Sequence, residues 1–192
     1  MARRAKRTTH AALLRGINVG GKNRLQMKPL AQLFADAGCD PVRTYIQSGN
    51  VVFGAERAAM RTLAADISAA IERDHGLRVP LIMRTLEQLR EVRAGFPFDP
   101  QRVEPKHLYV AFLRDKPSAT QLAALDPERS PPDTFVTGTQ HLYICFPSGS
   151  GRSKLDAPYI DRTLGTISTW RNLRTLEKVI ALGDAIEAEL AS

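Results

Sequence analysis

At 192 residues with 43% hydrophobic content, the chain is long enough to bury a sizeable core as one large domain or two small ones, which excludes a disordered or fibrous class. No apolar run approaches the roughly 20 residues that span a bilayer, and Met1 to Arg7 lacks the apolar stretch of a signal peptide; a cytoplasmic protein with no membrane partner is expected. The formal charge of +7 sits at one end: residues 1–35 hold Arg3, Arg4, Lys6, Arg7, Arg15, Lys22, Arg24 and Lys28 and no Asp or Glu, which leaves 19 basic against 20 acidic residues from position 36 onward.

In chain order, residues 1–8 form the expected disordered basic tail. Ala11 to Leu14 is a short apolar run ending in Arg15-Gly16, a buried strand entering a loop. Lys28 to Ala37 places Leu30, Leu33, Phe34 and Ala37 on one helix face, with Gly38 as C-cap. Val42 to Gln47 and Val51 to Phe53 flank Ser48-Gly49-Asn50 and predict a β-hairpin. Ala58 to His75 carries a second helical stripe through Met60, Leu63, Ile67 and Ile71, closed by Gly76, and a strand follows from Arg78 to Arg84. The first half reads βαββαβ.

Thr85 to Ala94 predicts a third helix, and the Pro-interrupted stretch Gly95 to Pro105 predicts the boundary between a first half, 9–98, and a second, 99–192. The second half repeats the order, with a strand from His107 to Leu113, a helix capped by Ser118, and a hairpin from Thr134 to Phe146 around Gly138. A loop from Pro147 to Lys154, a helical segment near Pro158 to Leu164 and a long final helix from about Thr175 to Ala191 complete it. The fold class expected is α+β: tandem ferredoxin-like βαββαβ repeats with antiparallel sheets and a long C-terminal helix.

That topology has a chemical consequence. If strands one and two run parallel with strand three between them, the end of strand one and the hairpin turn emerge at the same sheet edge. Arg15 to Lys22 and Gln47 to Asn50 would then be neighbours. Gly16, Gly20 and Gly21 let backbone N–H groups approach a ligand, Arg15 offers a bidentate fork and Lys22 a point charge. Asn18, Gln47, Ser48 and Asn50 add neutral donors and acceptors. The plainer alternative is that these glycines only make turns and these polar side chains only bond the local backbone.

Three other patterns bear on chemistry. Gly16 to Asn23 reads G-x-x-x-x-G-K-N, one residue from a phosphate-binding P-loop, but Asn23 replaces the hydroxyl that would hold Mg²⁺ and no partner strand ends in a metal-binding Asp. Tyr109 and Tyr143, placed on one face of the second sheet, offer a base-stacking platform of the kind RNA-binding sheets use. Ser148 to Lys154 alternates glycine and serine before Arg152 and Lys154, the groups of an anion site; Arg171 and Asn172 follow at the expected start of the last helix, whose N-terminus favours negative ligands. Cys39 and Cys145 fit neither a disulfide framework nor a metal set, and His10, His75, His107 and His141 come with no triad spacing. No metal or cofactor is expected.

Leu14-Arg15-Gly16-Ile17-Asn18-Val19-Gly20-Gly21, Tyr45-Ile46-Gln47-Ser48-Gly49-Asn50-Val51 and Gly151-Arg152-Ser153-Lys154-Leu155 resemble the signature stretches of a widespread bacterial family called domain of unknown function 1697. The likeness runs from about residue 9 to Leu182. It implies a ferredoxin-like repeat architecture and no established activity. The family's C-terminal motif, T-x-R-N-W-x-T-V-x-K, falls on Thr169, Arg171, Asn172, Leu173, Thr175, Leu176 and Lys178, with Leu173 in place of the tryptophan.

The leading functional expectation is a binding module, or a scaffold for an unidentified reaction, for a phosphate-bearing or other anionic ligand, such as a nucleotide or nucleic acid. Its candidate contacts are Arg15, Gly16, Asn18, Gly20, Gly21, Lys22, Gln47, Ser48, Asn50, Arg152, Lys154, Arg171 and Asn172. The rivals are a small-molecule enzyme using the same polar loops for transition-state charge and a homodimer contact.

Overall fold

The computed structural model describes residues 7–192. The first six positions of the expected tail lie outside the described residues, while Arg7 and Thr8, also assigned to that tail, open the first strand instead. Arg7 is held there by its guanidinium, which donates to the Asp40 carbonyl at 2.8 Å and pairs with the Asp40 carboxylate at 3.2 Å.

The first unit builds one antiparallel sheet from β1 (Arg7–Leu14), β2 (Val42–Tyr45), β3 (Asn50–Glu56) and β4 (Leu81–Thr85), in the order β2-β3-β1-β4. Helix α1 (Met27–Asp36) connects β1 to β2, and α2 (Leu63–His75) connects β3 to β4. The registers Ala12↔Val51 and Leu14↔Leu81 put these residues on one face. There they pack with Leu30 and Phe34 of α1 and Ile67 and Ile71 of α2 in a single core. The helix stripes at i, i+3/i+4 spacing are what make that face apolar; each fully buried Leu, Ile or Phe contributes about 1.5–3 kcal/mol. Helix α2 stops where Gly76 adopts φ 65 and donates its N–H to Glu72 O, the left-handed cap its glycine predicts.

Helix α3 (Leu86–Ala94) follows β4 directly. The second unit then repeats the arrangement with β5 (Leu108–Leu113), α4 (Ala119–Ala123), β6 (Thr134–Thr137), β7 (His141–Cys145), α5 (Ala157–Leu164) and β8 (Ser168–Asn172), the strands ordered β6-β7-β5-β8 and all antiparallel. Ser118 and Gln121 close a reciprocal capping box at the start of α4. The second core gathers Ala111, Leu142, Ile144 and Phe146 with Ile160 and Leu164.

Two sequence expectations change here. Thr169 to Asn172 is not the approach to a helix but part of strand β8, paired to β5 through Ala111↔Trp170 and Val110↔Arg171. The final helix, α6 (Leu173–Ala191), also does not belong wholly to the second half. Among the described residues, the compact units comprise 7–91 with 178–192, and 92–177. From Lys178 on, the helix completes the first unit: Asp184 and Glu187 both pair with Arg90, Glu189 with Arg43, and Leu190 lies against Gly54. A Cβ at Gly54 would fall 2.6 Å from Asp40 O and 3.0 Å from Leu190, so only glycine admits this approach. Among the described residues no helix is long and apolar enough to cross a membrane.

Candidate functional site

The end of β1 and the β2–β3 turn meet as the topology requires: Leu14 N–H donates to Gly49 O at 2.8 Å. The contact is tight, since a Cβ at Gly49 (φ +74) would lie 2.6 Å from Leu14 Cβ and 2.8 Å from Ile17 Cδ1. Asn18 ties the two loops together. Its Nδ2 donates to Gln47 O at 2.7 Å and Leu25 O at 2.8 Å, and its Oδ1 accepts from Leu25 N–H at 2.9 Å. Asn23 Nδ2 donates back to Gly16 O, while Asn18 N–H and Lys22 N–H are taken by Asn23 O and Val19 O. A P-loop needs such amides free for phosphate oxygens; here two are spent on the loop itself, in addition to the missing hydroxyl at Asn23.

The candidate residues of this edge therefore divide by direction. Asn18, Ser48 and Asn50 turn inward: Asn50 is fully buried and its Nδ2 donates to Tyr45 O and Ser48 Oγ. Lys22 and Gln47 are exposed and Arg15 is half-exposed. Gly16, Gly20 and Gly21 are exposed with positive φ and open space around each Cβ position. Beside them stand two cations outside the candidate set, Arg24 and Lys28. The side chains of Lys22, Arg24 and Lys28 are exposed and make no ion pair or hydrogen bond with another described residue. The signal for them was in the sequence, where residues 1–35 hold no carboxylate. The edge also bears two exposed aliphatics, Val19 at 66% and Ile46 at 50%. Ile46 sits at φ 48, a left-handed conformation that costs a β-branched residue about 1–2 kcal/mol.

In the second unit, Gly151 and Arg152 line a cavity of about 380 Å³ with Ser130, Asp133, Ser148 and Ser153. Ser130 is its hub. Its Oγ donates to Asp133 Oδ2 at 3.0 Å and accepts from Lys154 N–H at 3.1 Å, and Ser153 Oγ lies 3.3 Å away. Lys154 is exposed and does not line the cavity. Neither Ser130 nor Asp133 was singled out from sequence, because they lie about twenty residues from the glycine-serine loop they meet.

Arg171 and Asn172 are placed differently from expectation. Arg171 is only 7% exposed; its Nη1 donates to Thr169 Oγ1 at 2.9 Å and Trp170 O at 2.8 Å, and burial lowers its pKa to about 10. Asn172 Oδ1 accepts from Thr175 N–H at the first turn of α6, a capping bond. Arg84 of β4 repeats the first arrangement, buried, lowered to about 10 by desolvation, and donating to the preceding carbonyl, Met83 O. Tyr109 and Tyr143 form no platform: Tyr109 pairs with Ile144 and Tyr143 with Val110, which puts them on opposite faces. Tyr143 is buried, its hydroxyl donating to Val92 O at 3.0 Å. Burial pushes the Cys39 thiol up to about 11 against the opposing pull of Arg7, so it is a core residue and not a nucleophile. Among the described residues no three His, Cys, Asp or Glu side chains gather where a metal ion could be held.

The fold is similar to that of the conserved bacterial protein SP0830 from Streptococcus pneumoniae, with a TM-score of 0.67 over 92% of this chain and 99% of that one at 21% identity. No curated protein matches the chain. Residues 7–143 match the family described as protein of unknown function DUF1697, so the braced loop at Asn18 and the hairpin at Gly49 lie within the matched stretch, and the chain belongs to that family.

Proposed function

We propose that the edge formed by residues 15–24 and the turn at 46–49 binds a phosphate-bearing or other anionic ligand, with single-stranded nucleic acid or a nucleotide as the best fit. The observation that carries this reading is the set Lys22, Arg24 and Lys28, three exposed cations without a carboxylate partner among the described residues, on or beside a loop that Asn18 holds in place. A preorganised loop loses little entropy on binding, and unpaired cations gain most from a polyanion. Lys28 adds to this, since the first turn of α1 contains no acidic residue to offset its partial positive charge. Asn18, Ser48 and Asn50 then act as braces and not as contacts.

Fluorescence anisotropy with labelled oligonucleotides and nucleotides, titrated with salt, tests the reading. Lys22→Ala with Arg24→Ala should weaken binding and reduce the log–log salt slope by about 0.7 per lost phosphate contact on a single strand. An unchanged slope sinks the proposal. A homodimer contact is the second reading, favoured by the exposed Val19 and Ile46; sedimentation showing a dimer that Ile46→Asp dissociates would select it.

The strand order β2-β3-β1-β4, repeated as β6-β7-β5-β8, supports our reading of each unit as a ferredoxin-like repeat. The buried free thiols of Cys39 and Cys145 support a cytoplasmic one.

A further inference from the structure

The cavity of the second unit has two walls of opposite charge. Asp133 is 8% exposed. Ser130 Oγ donates to its Oδ2, and no cation of another described residue lies within ion-pair distance of it. One hydrogen bond leaves a carboxylate so far out of water without a counter-charge, which is costly. Arg152 lines the same cavity, exposed and likewise without a carboxylate partner. The two do not close into a salt bridge, although they line one half-open cavity of about 380 Å³.

We propose that this cavity binds a small zwitterion of the free amino acid type, its ammonium group against Asp133 and its carboxylate against Arg152. The charges select this class by exclusion. A phosphate or other pure anion that reached Arg152 would face Asp133, and a simple amine drawn to Asp133 would face Arg152, each a like-charge juxtaposition in a partly desolvated space. A molecule with both charges answers both walls. The volume fits a small molecule, near the lower end of the usual 300–1,000 Å³ or so. Ser130 is fixed by its bonds to Asp133 and Lys154, so the carboxylate is oriented before the ligand arrives.

Calorimetric titration of the full chain with the free L-amino acids, one by one, tests this, with the N-acetyl and carboxamide forms of any binder, inorganic phosphate and glucose as comparators. The expected result is saturable binding of at least one free amino acid, weakened tenfold or more by N-acetylation, by amidation, and by Asp133→Asn or Arg152→Gln. Binding that tolerates N-acetylation, or phosphate or glucose binding in place of any amino acid, overturns the proposal, as does no binding at all. If Asp133→Asn fails to fold, the N-acetyl comparison on the unaltered protein and the exposed Arg152→Gln variant still decide.

Discussion

The two glycine-rich basic loops look alike in sequence and are built in opposite ways. At Arg15 to Lys22 the polar side chains are consumed by bracing: Asn18 alone joins the loop to Leu25 and to Gln47, and the cations are left on the outside. At Ser148 to Lys154 the bracing comes from Ser130, a residue of a different segment, and the loop encloses a cavity with a buried carboxylate. The first arrangement leaves an edge with exposed cations, and the second a cavity with a cation and a carboxylate in its lining. Glycine content alone does not distinguish them. What does is where the neighbouring hydrogen-bond partners lie along the chain.

The comparison breaks or sharpens under substitution, and the largest effect belongs to Gly49. Gly49→Ala must place a methyl within 2.6 Å of Leu14 Cβ at positive φ; left-handed strain of about 1–2 kcal/mol and overpacking of about 1–3 kcal/mol together predict a loss of about 3 kcal/mol. Urea denaturation measures it, and a loss under 1 kcal/mol would mean that the two loops are not locked. Asn18→Ala should cost about 2–3 kcal/mol, near 1 kcal/mol for each of three neutral hydrogen bonds. Ser130→Ala should cost as much, about 2–4 kcal/mol, because it removes two neutral bonds and the donor to the buried Asp133 carboxylate. If either substitution costs less than 1 kcal/mol, the bracing assigned to that loop is wrong.

Acid should loosen the first unit in a way traceable to one residue of β1. His10 is buried against Phe53, ring centroids 5.9 Å apart, and desolvation holds its pKa below 6.5. The unfolded chain therefore takes up the proton first, so the stability from neutral His10 is complete above pH 6.5 and lost as pH falls through the depressed folded value. The wild-type minus His10→Gln difference in unfolding free energy, measured by denaturation from pH 8 down, should fall across that window and stay flat above it. Smallest of all, Lys22→Ala should shift stability by no more than about 0.5 kcal/mol, as expected of a cation that braces nothing; a larger loss in the same denaturation assay would give it a structural role.

Most of the fold was legible because its signals are local. The helix faces at Leu30, Phe34, Ile67 and Ile71 and the capping residues Gly76 and Ser118 each announce themselves within one turn, and the sheet edge followed from topology. Strand β8 was not legible. Ser168, Thr169 and Arg171 are polar yet buried, satisfied by partners such as Asp161, whose Oδ1 accepts from Ser168 N–H, so no apolar alternation marks them. A different signal was present: Arg84-Thr85-Leu86-x-x-Leu89-x-x-Val92 and Arg171-Asn172-Leu173-x-x-Leu176-x-x-Val179 repeat one pattern. Aligned, they place a strand end before α6 just as β4 stands before α3. The candidate site was half legible. Its location was readable from chain order, but which polar residues face inward depends on hydrogen-bond partners such as Leu25 O and Gln47 O that no spacing reveals. The error over Tyr109 and Tyr143 was one of parity, since paired residues share a face only in the true register.

The return of α6 to Gly54 sets an order on biosynthesis. A ribosome releases β1 to β4 before it has made the 86 residues of 92–177 that precede the helix segment pairing with Arg43 and Arg90. At about 5–20 residues per second, the nascent first unit waits roughly 4–17 s before Leu190 can reach Gly54. The first unit is thus completed only after the second has been translated.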